Sequence, residues 1–251
     1  MPGGKVMRLG PNTNAPADLL RPKCILCCGE DRATLLGALD DAGLSGAVPI
    51  FEHRCYQFWN LDPGTVLIWS GIGTGCLEPL LWEILSPGVI ERIALVGTAG
   101  RMARSSTVVG GAYVVAEAWS AGTGLDGEKL LSPFRPRWTR PHAYATASSV
   151  STDFFYGFSP RIAAGGYPFQ SGRLRGAYDF HIQRGTDLVE MEVAQFYAFC
   201  GAFTPAGRTE FIAIKAVSNT IGVEDEQVAH SRVAIAETLK IAGDLYDLYP
   251  R

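Results

Sequence analysis

Three glycine-rich segments each follow an apolar run: Cys28-Gly29-Glu30-Asp31-Arg32, Ser70-Gly71-Ile72-Gly73 and Val96-Gly97-Thr98-Ala99-Gly100. Glycines at strand ends let backbone N–H groups converge on an anion. Further along, Glu190 and Glu192 flank Met191 at the start of an otherwise apolar helical stretch. Three aromatics, Phe154-Phe155-Tyr156, stand in a row, and Glu210–Val217 reads as a buried strand running into Ser218-Asn219. Cysteine chemistry is less promising. Cys24 and Cys27 form a CxxC pair, with Cys28 beside them, but no second pair stands at zinc-ligand spacing. Cys-Ile-Leu-Cys-Cys therefore reads as a buried strand using cysteine as a small hydrophobe. His53, His142, His181 and His230 are scattered and lack metal spacing, so no metal is expected.

These residues need a framework, and the 251-residue chain supplies one. Hydrophobic residues make up 47% and charged residues 19%, too apolar and too weakly charged for disorder. The net charge of −3 leaves no basic excess for a nucleic-acid partner. No apolar run is long enough for a membrane helix, so no membrane partner is expected. The Gly-, Pro- and Asn-rich residues 1–22 read as a flexible lead-in without a secretory h-region, and a cytoplasmic location is expected. From residue 23 to 251, short buried strands alternate with amphipathic helices. Strands are expected at Lys23–Cys28, Ala47–Phe51, Tyr56–Trp59, Thr65–Ser70, Arg92–Val96, Ala112–Ala116, Thr146–Val150 and Glu210–Val217. Helices are expected at Arg32–Ala42, Glu78–Leu85, Val189–Ala202 and Val228–Leu248. The stretch Trp119–Tyr144 reads as a long surface excursion that caps the site or meets another subunit. The pattern predicts one α/β domain, a three-layer α/β/α arrangement around a mixed central sheet, with ligands held at the carboxyl ends of strands.

In order along the chain, Ser70–Gly73, Val96–Gly100, Ser151-Thr152-Asp153-Phe154-Phe155-Tyr156 and Val189-Glu190-Met191-Glu192 resemble the nucleoside phosphorylase and nucleosidase superfamily. Lys215-Ala216-Val217-Ser218-Asn219 sits where that family has its catalytic loop. The resemblance implies cleavage of a nucleoside's N-glycosidic bond. Glu192 would bind the ribose 2′- and 3′-hydroxyls, with Met191 under the sugar and His53 at the 5′-hydroxyl. Phe155 would stack on the base, with Tyr156 and Glu190 beside it. Asn219 would act on the departing base. Most purine-cleaving relatives carry Asp there as a general acid. An amide cannot donate a full proton, but it can hydrogen-bond N7 and O6 of a 6-oxopurine. Futalosine hydrolases are similar in having Ser-Asn. A 6-oxopurine nucleoside is the substrate class implied. Arg161 resembles a uracil-reading position, but Ser159 replaces its usual glutamine neighbour.

Gly29, Arg32, Arg54 and Thr98 resemble the phosphate-binding set of the phosphorylases, with Arg54 reaching into a neighbouring subunit. That favours phosphorolysis, with inorganic phosphate as co-substrate and no cofactor. Against it, Leu95 stands where another arginine is usual, with only Arg101 or Arg104 nearby to replace it. Hydrolysis is the alternative, with Glu30 or Asp31 activating water, although their offset from the glycine matches poorly. A non-catalytic nucleoside-binding or storage protein of the same fold is the third reading. The family implies a homo-oligomer, a dimer or a trimer of dimers.

Overall fold

The structure, a computed structural model, describes residues 7–123, 132–154, 172–204, 208–223 and 225–249. Its strands are β1 (Lys23–Cys28), β2 (Val48–His53), β3 (Tyr56–Asp62), β4 (Thr65–Ser70), β5 (Arg92–Arg101), β6 (Ala112–Ser120), β7 (Thr146–Ser151), β8 (Leu188–Glu190) and β9 (Glu210–Thr220). Its helices are α1 (Arg32–Asp41), α2 (Thr74–Leu85), α3 (Gly172–Arg184), α4 (Val193–Phe203) and α5 (Asp225–Leu245). The strands form one mixed sheet in the order β2-β3-β4-β1-β5-β8-β7-β6-β9, and β9 also pairs with β5. The second half of the sheet thus closes on itself, while β1 to β4 extend as an open wing. The strands β4, β1, β5 and β9 run parallel, so their carboxyl ends lie together.

Alternation along β1 builds both faces. Cys24, Leu26 and Cys28 join one core cluster, with α2 and α4; Ile25 and Cys27 join the other, with α1 and α5. The three-layer expectation is met. The same alternation answers the CxxC question: Cys24 and Cys27 face opposite sides of the sheet and cannot share a ligand. All three cysteines of the run are buried and free.

Several elements differ from the sequence reading, each for a physical reason. The helix expected over Val189–Ala202 is two elements. Leu188–Glu190 is a strand between β7 and β5, and the helix begins only at Val193. The turn expected at Gly97–Gly100 is strand, because β9 pairs with β5 up to Arg101, with one irregularity between Ala99 and Gly100. Ser218-Asn219 lies inside β9 rather than in a loop for the same reason. Helix α2 starts at Thr74, four residues early, and runs through Pro79. Helix α3 was not foreseen.

From Met7 onward the lead-in packs on the domain. Asn12 and Thr13 donate both backbone and side-chain hydrogen bonds to the Glu83 carboxylate, and Ala15 is buried. The described part of the Trp119–Tyr144 excursion lies on the sheet. Phe134 bridges Ala118, Arg137 bridges Phe211, and Trp138 stacks on Tyr246. Phe211 is at the start of β9, the end remote from Asn219, and residues 124–131 of the excursion lie outside the described residues. Among the described residues no helix is long and apolar enough to cross a membrane.

Candidate active site

A cavity of about 380 Å³ opens at the carboxyl ends of β1, β5 and β9. Gly29 and Glu30, Thr98, Ala99 and Gly100, and Ser218 and Asn219 line it. Glu190, Met191 and Glu192 complete the lining with Ile72, Asp153 and Phe154. Six segments far apart in sequence thus meet, those after β1 and β4 and at the ends of β5 and β9 because these parallel strands end together.

Glu192 is the best-placed carboxylate. It is buried at the N-cap of α4. Its Oε1 accepts from the Gly73 N–H at 2.9 Å, and its Oε2 accepts from Lys215 Nζ at 3.0 Å. Gly73 has φ +79, a backbone that side chains rarely adopt, and its N–H meets Glu192 from that turn. A carboxylate has about four lone-pair sites. Two are taken, leaving two for a pair of vicinal hydroxyls.

Glu190 has no such capacity. Its Oε1 accepts from Ser149 and Ser151, and its Oε2 accepts from the N–H groups of Glu192 and Val193, both at 2.7 Å. All its acceptor positions are internal. Glu190 lines the cavity, as a base contact would require, and its Oε2 satisfies orphan donors at the start of α4. Burial raises its pKa above the ordinary glutamate range, partly offset by Lys215 at 3.9 Å.

Lys215 is the residue that the sequence reading passed over. It is 1% exposed and pairs with Glu192. Burial alone would lower its pKa; the charges of Glu192 and Glu190 outweigh that and hold it above the usual ammonium value. The signal was available. A lysine inside an apolar strand demands an anionic partner, because lone buried charges are rare. Gly97 makes room for it: a Cβ there would lie 3.2 Å from both Lys215 Nζ and the Cys28 carbonyl oxygen.

Glu30 lines the cavity beside Thr98. Its Oε1 accepts from Thr98 Oγ1 at 2.6 Å and from the Thr98 N–H at 3.3 Å. Burial pushes the Glu30 carboxyl up, offset in part by those bonds and by Lys215. Asp31 instead caps α1, accepting from the Thr34 N–H. Arg32 is exposed, 3.7 Å from Glu52, and lies outside the cavity lining. Arg54 is also exposed, near Asn12 Oδ1 at 3.5 Å. Arg101 is engaged by Thr220 and the Thr107 carbonyl, and Leu95 is core. Within one chain, then, the expected phosphate set is split. Gly29 and Thr98 line the cavity, and the two arginines do not. His53 is half-buried on β2 and is not among the lining residues.

Asn219 is 1% exposed in the wall. Its Oδ1 accepts from Ser218 Oγ at 3.0 Å, and its Nδ2 donates to the Thr220 carbonyl at 3.2 Å. One N–H remains to donate to a ligand. Asp153 accepts from Thr74 Oγ1 at 3.1 Å, tying the segment after β7 to the start of α2. Phe155, Tyr156, Ser159 and Arg161 lie outside the described residues; their neighbour Phe154 lines the cavity and is 41% exposed. Among the described residues no cluster of three His, Cys, Asp or Glu side chains is placed to hold a metal ion.

No protein-family model matches this sequence, and no curated protein is similar to it at sequence level. Solved structures are similar. A purine nucleoside phosphorylase from Toxoplasma gondii, in complex with immucillin-H, matches with a TM-score of 0.68 at 19% identity, over 98% of this chain and 100% of its own. A 5′-methylthioadenosine/S-adenosylhomocysteine nucleosidase from Colwellia psychrerythraea, in complex with adenine, matches at 0.65 and 18% identity, over 91% and 96%. Isoform 2 of uridine phosphorylase from Schistosoma mansoni matches at 0.63 and 12% identity, over 90% and 88%. The chain has the nucleoside phosphorylase and nucleosidase fold.

Proposed function

We propose that this chain is an enzyme that cleaves the N-glycosidic bond of a nucleoside by hydrolysis, with 6-oxopurine nucleosides as the substrate class. The observation that carries hydrolysis is Glu30 seated on Thr98. Its carboxylate takes the two donors that a bound phosphate would need. A phosphate entering there meets Glu30, Glu192 and Glu190 against one ammonium, Lys215. That balance disfavours an anion and suits a neutral nucleophile.

Glu192 accepts the ribose 2′- and 3′-hydroxyls on its two open lone-pair sites, and charge-assisted bonds of this kind are the strong ones. Met191 packs under the sugar. Water held by Glu30 attacks the anomeric carbon as the bond to the base breaks, and Glu30 takes its proton. A glutamate with a raised pKa is the better base near neutral pH. Asn219 donates its free N–H to purine N7. It supplies no proton, so the base leaves with negative charge, which the 6-oxo group helps to delocalise. No cofactor takes part. Phosphorolysis is the second reading, favoured by Arg54 if it completes a neighbouring subunit's cavity in a homo-oligomer.

The test is base release from inosine, guanosine, adenosine and uridine, with and without phosphate, read by liquid chromatography. Hypoxanthine and guanine should appear equally in both conditions. Release only with phosphate overturns hydrolysis. No release from any nucleoside favours the non-catalytic reading.

A further inference from the structure

Beside the turn that holds Glu192, two cysteines face each other. Cys55 lies in the turn between β2 and β3, and Cys76 is the third residue of α2. Their sulfurs are 3.9 Å apart, both residues are half-buried, and both are free thiols. The remaining cysteines, Cys24, Cys27, Cys28 and Cys200, are buried in the core. The pair rests on Gly71, where a Cβ would lie 2.9 Å from Cys76 Sγ and 3.4 Å from Cys55 Cβ. The Gly71 N–H also donates to the Cys55 carbonyl at 3.1 Å, and Tyr56 Oη donates to the Cys76 carbonyl at 2.9 Å. Hairpin, glycine turn and helix start are therefore one packed unit.

We infer that Cys55 and Cys76 are a redox modification site, forming a reversible disulfide that acts on the ribose end of the cavity. Bonding requires the sulfurs to close by about 1.9 Å, to the ~2.05 Å of a disulfide. The oxidant is a low-molecular-weight disulfide. One cysteine thiolate attacks a sulfur of the oxidant, forming a mixed disulfide and releasing one thiolate. The second cysteine thiolate attacks the protein-side sulfur, forming the Cys55–Cys76 bond and releasing the other. The protein gives up two protons and two electrons, and the oxidant leaves as two thiols.

The consequence follows from proximity. Cys76 is three residues from Gly73, whose N–H holds Glu192, and Ile72 between Gly71 and Gly73 lines the cavity. Drawing Cys76 toward the hairpin displaces the helix start relative to Glu192, so ribose binding weakens. This second part rests on the proposed nucleoside reaction; the bond itself does not.

The experiment treats the whole protein with oxidised glutathione and maps its peptides by mass spectrometry before and after dithiothreitol. Expected is one crosslink, Cys55 to Cys76, with a loss of about 2 Da. Cys55→Ser and Cys76→Ser should each abolish it. KM for the nucleoside should rise at least fivefold on oxidation and return with dithiothreitol, while both serine variants stay insensitive. Absence of the crosslink in the wild-type protein, or its formation at another pair, overturns the site. A crosslink that leaves KM unchanged in an active enzyme overturns the coupling. If no nucleoside is cleaved, the crosslink alone decides the site, and binding of inosine before and after oxidation decides the coupling.

Discussion

Glu30 and Lys215 carry the sharpest expectations at the scale of single residues. In the proposed hydrolysis, Glu30 must be ionised to take a proton from water. Burial raises its pKa, so the acid limb of kcat/KM lies above the ordinary glutamate range, with the rate rising as pH rises through it. Glu30→Gln should lower kcat by about 100-fold or more and remove that limb. Stability moves the other way. A carboxyl whose pKa is raised by folding contributes stability at low pH, and loses it as pH rises through its folded value. The glutamine variant, neutral throughout, should therefore melt no lower than wild type at pH 8. A lower melting temperature would show that Glu30 is structural. Lys215→Met should do the reverse. It strands Glu192 and Glu190 without their cation, a loss of about 3–5 kcal/mol for a broken buried pair. The deficit should shrink in acid as Glu190, whose pKa burial raises, takes up a proton, which thermal melts across pH would read.

At the scale of elements, the site depends on how α4 begins and how β5 passes beneath it. Ser151 Oγ donates to Glu190 and accepts from the Ala194 N–H at 2.8 Å, so one hydroxyl joins the end of β7 to the first turn of α4. Ser151→Ala leaves that buried N–H without an acceptor, a loss of about 1–3 kcal/mol. The melting temperature should fall by roughly 2–10 °C. Gly97→Ala presses a methyl against both Lys215 Nζ and the Cys28 carbonyl. Overpacking of this kind is expected to destabilise by about 1–3 kcal/mol. Because it displaces Lys215, it should also raise KM, which Ser151→Ala should do less. Steady-state kinetics on the two variants at equal stability loss would separate positioning of the lysine from general loosening.

At the scale of the whole molecule, the exposed arginines point outward. Arg54 has φ +53 in the tight turn beyond β2 and does not reach its own cavity. If it serves a neighbouring copy, the active species is an oligomer of 27.0 kDa chains. Dilution should then lower specific activity as subunits separate, and light scattering should show the mass falling in step. Activity constant down to a proven monomer would remove Arg54 from the site.

What the sequence by itself determined was local and periodic. Most strands and helices and the three-layer architecture follow from hydrophobic spacing, and the resemblance of its motifs to a known superfamily implied that the glycine turns meet Glu192 and Asn219. The bounds failed where pairing rather than propensity decides. Leu188–Glu190 is too short to announce itself as a strand, and only β5 and β7 on either side make it one. Gly97–Gly100 has turn composition, yet β9 holds it extended. The roles of the acids were also a tertiary matter. Glu190 and Glu192 are alike in type and two residues apart. One is saturated by two serines and two backbone N–H groups, while the other keeps two lone-pair sites open beside Lys215. The position of Glu30 on Thr98, 68 residues away in the chain, was likewise invisible to spacing. Periodicity records which face of an element is buried; only the assembled sheet brings distant charges within hydrogen-bond reach, and there acceptor capacity and charge balance assign the chemistry.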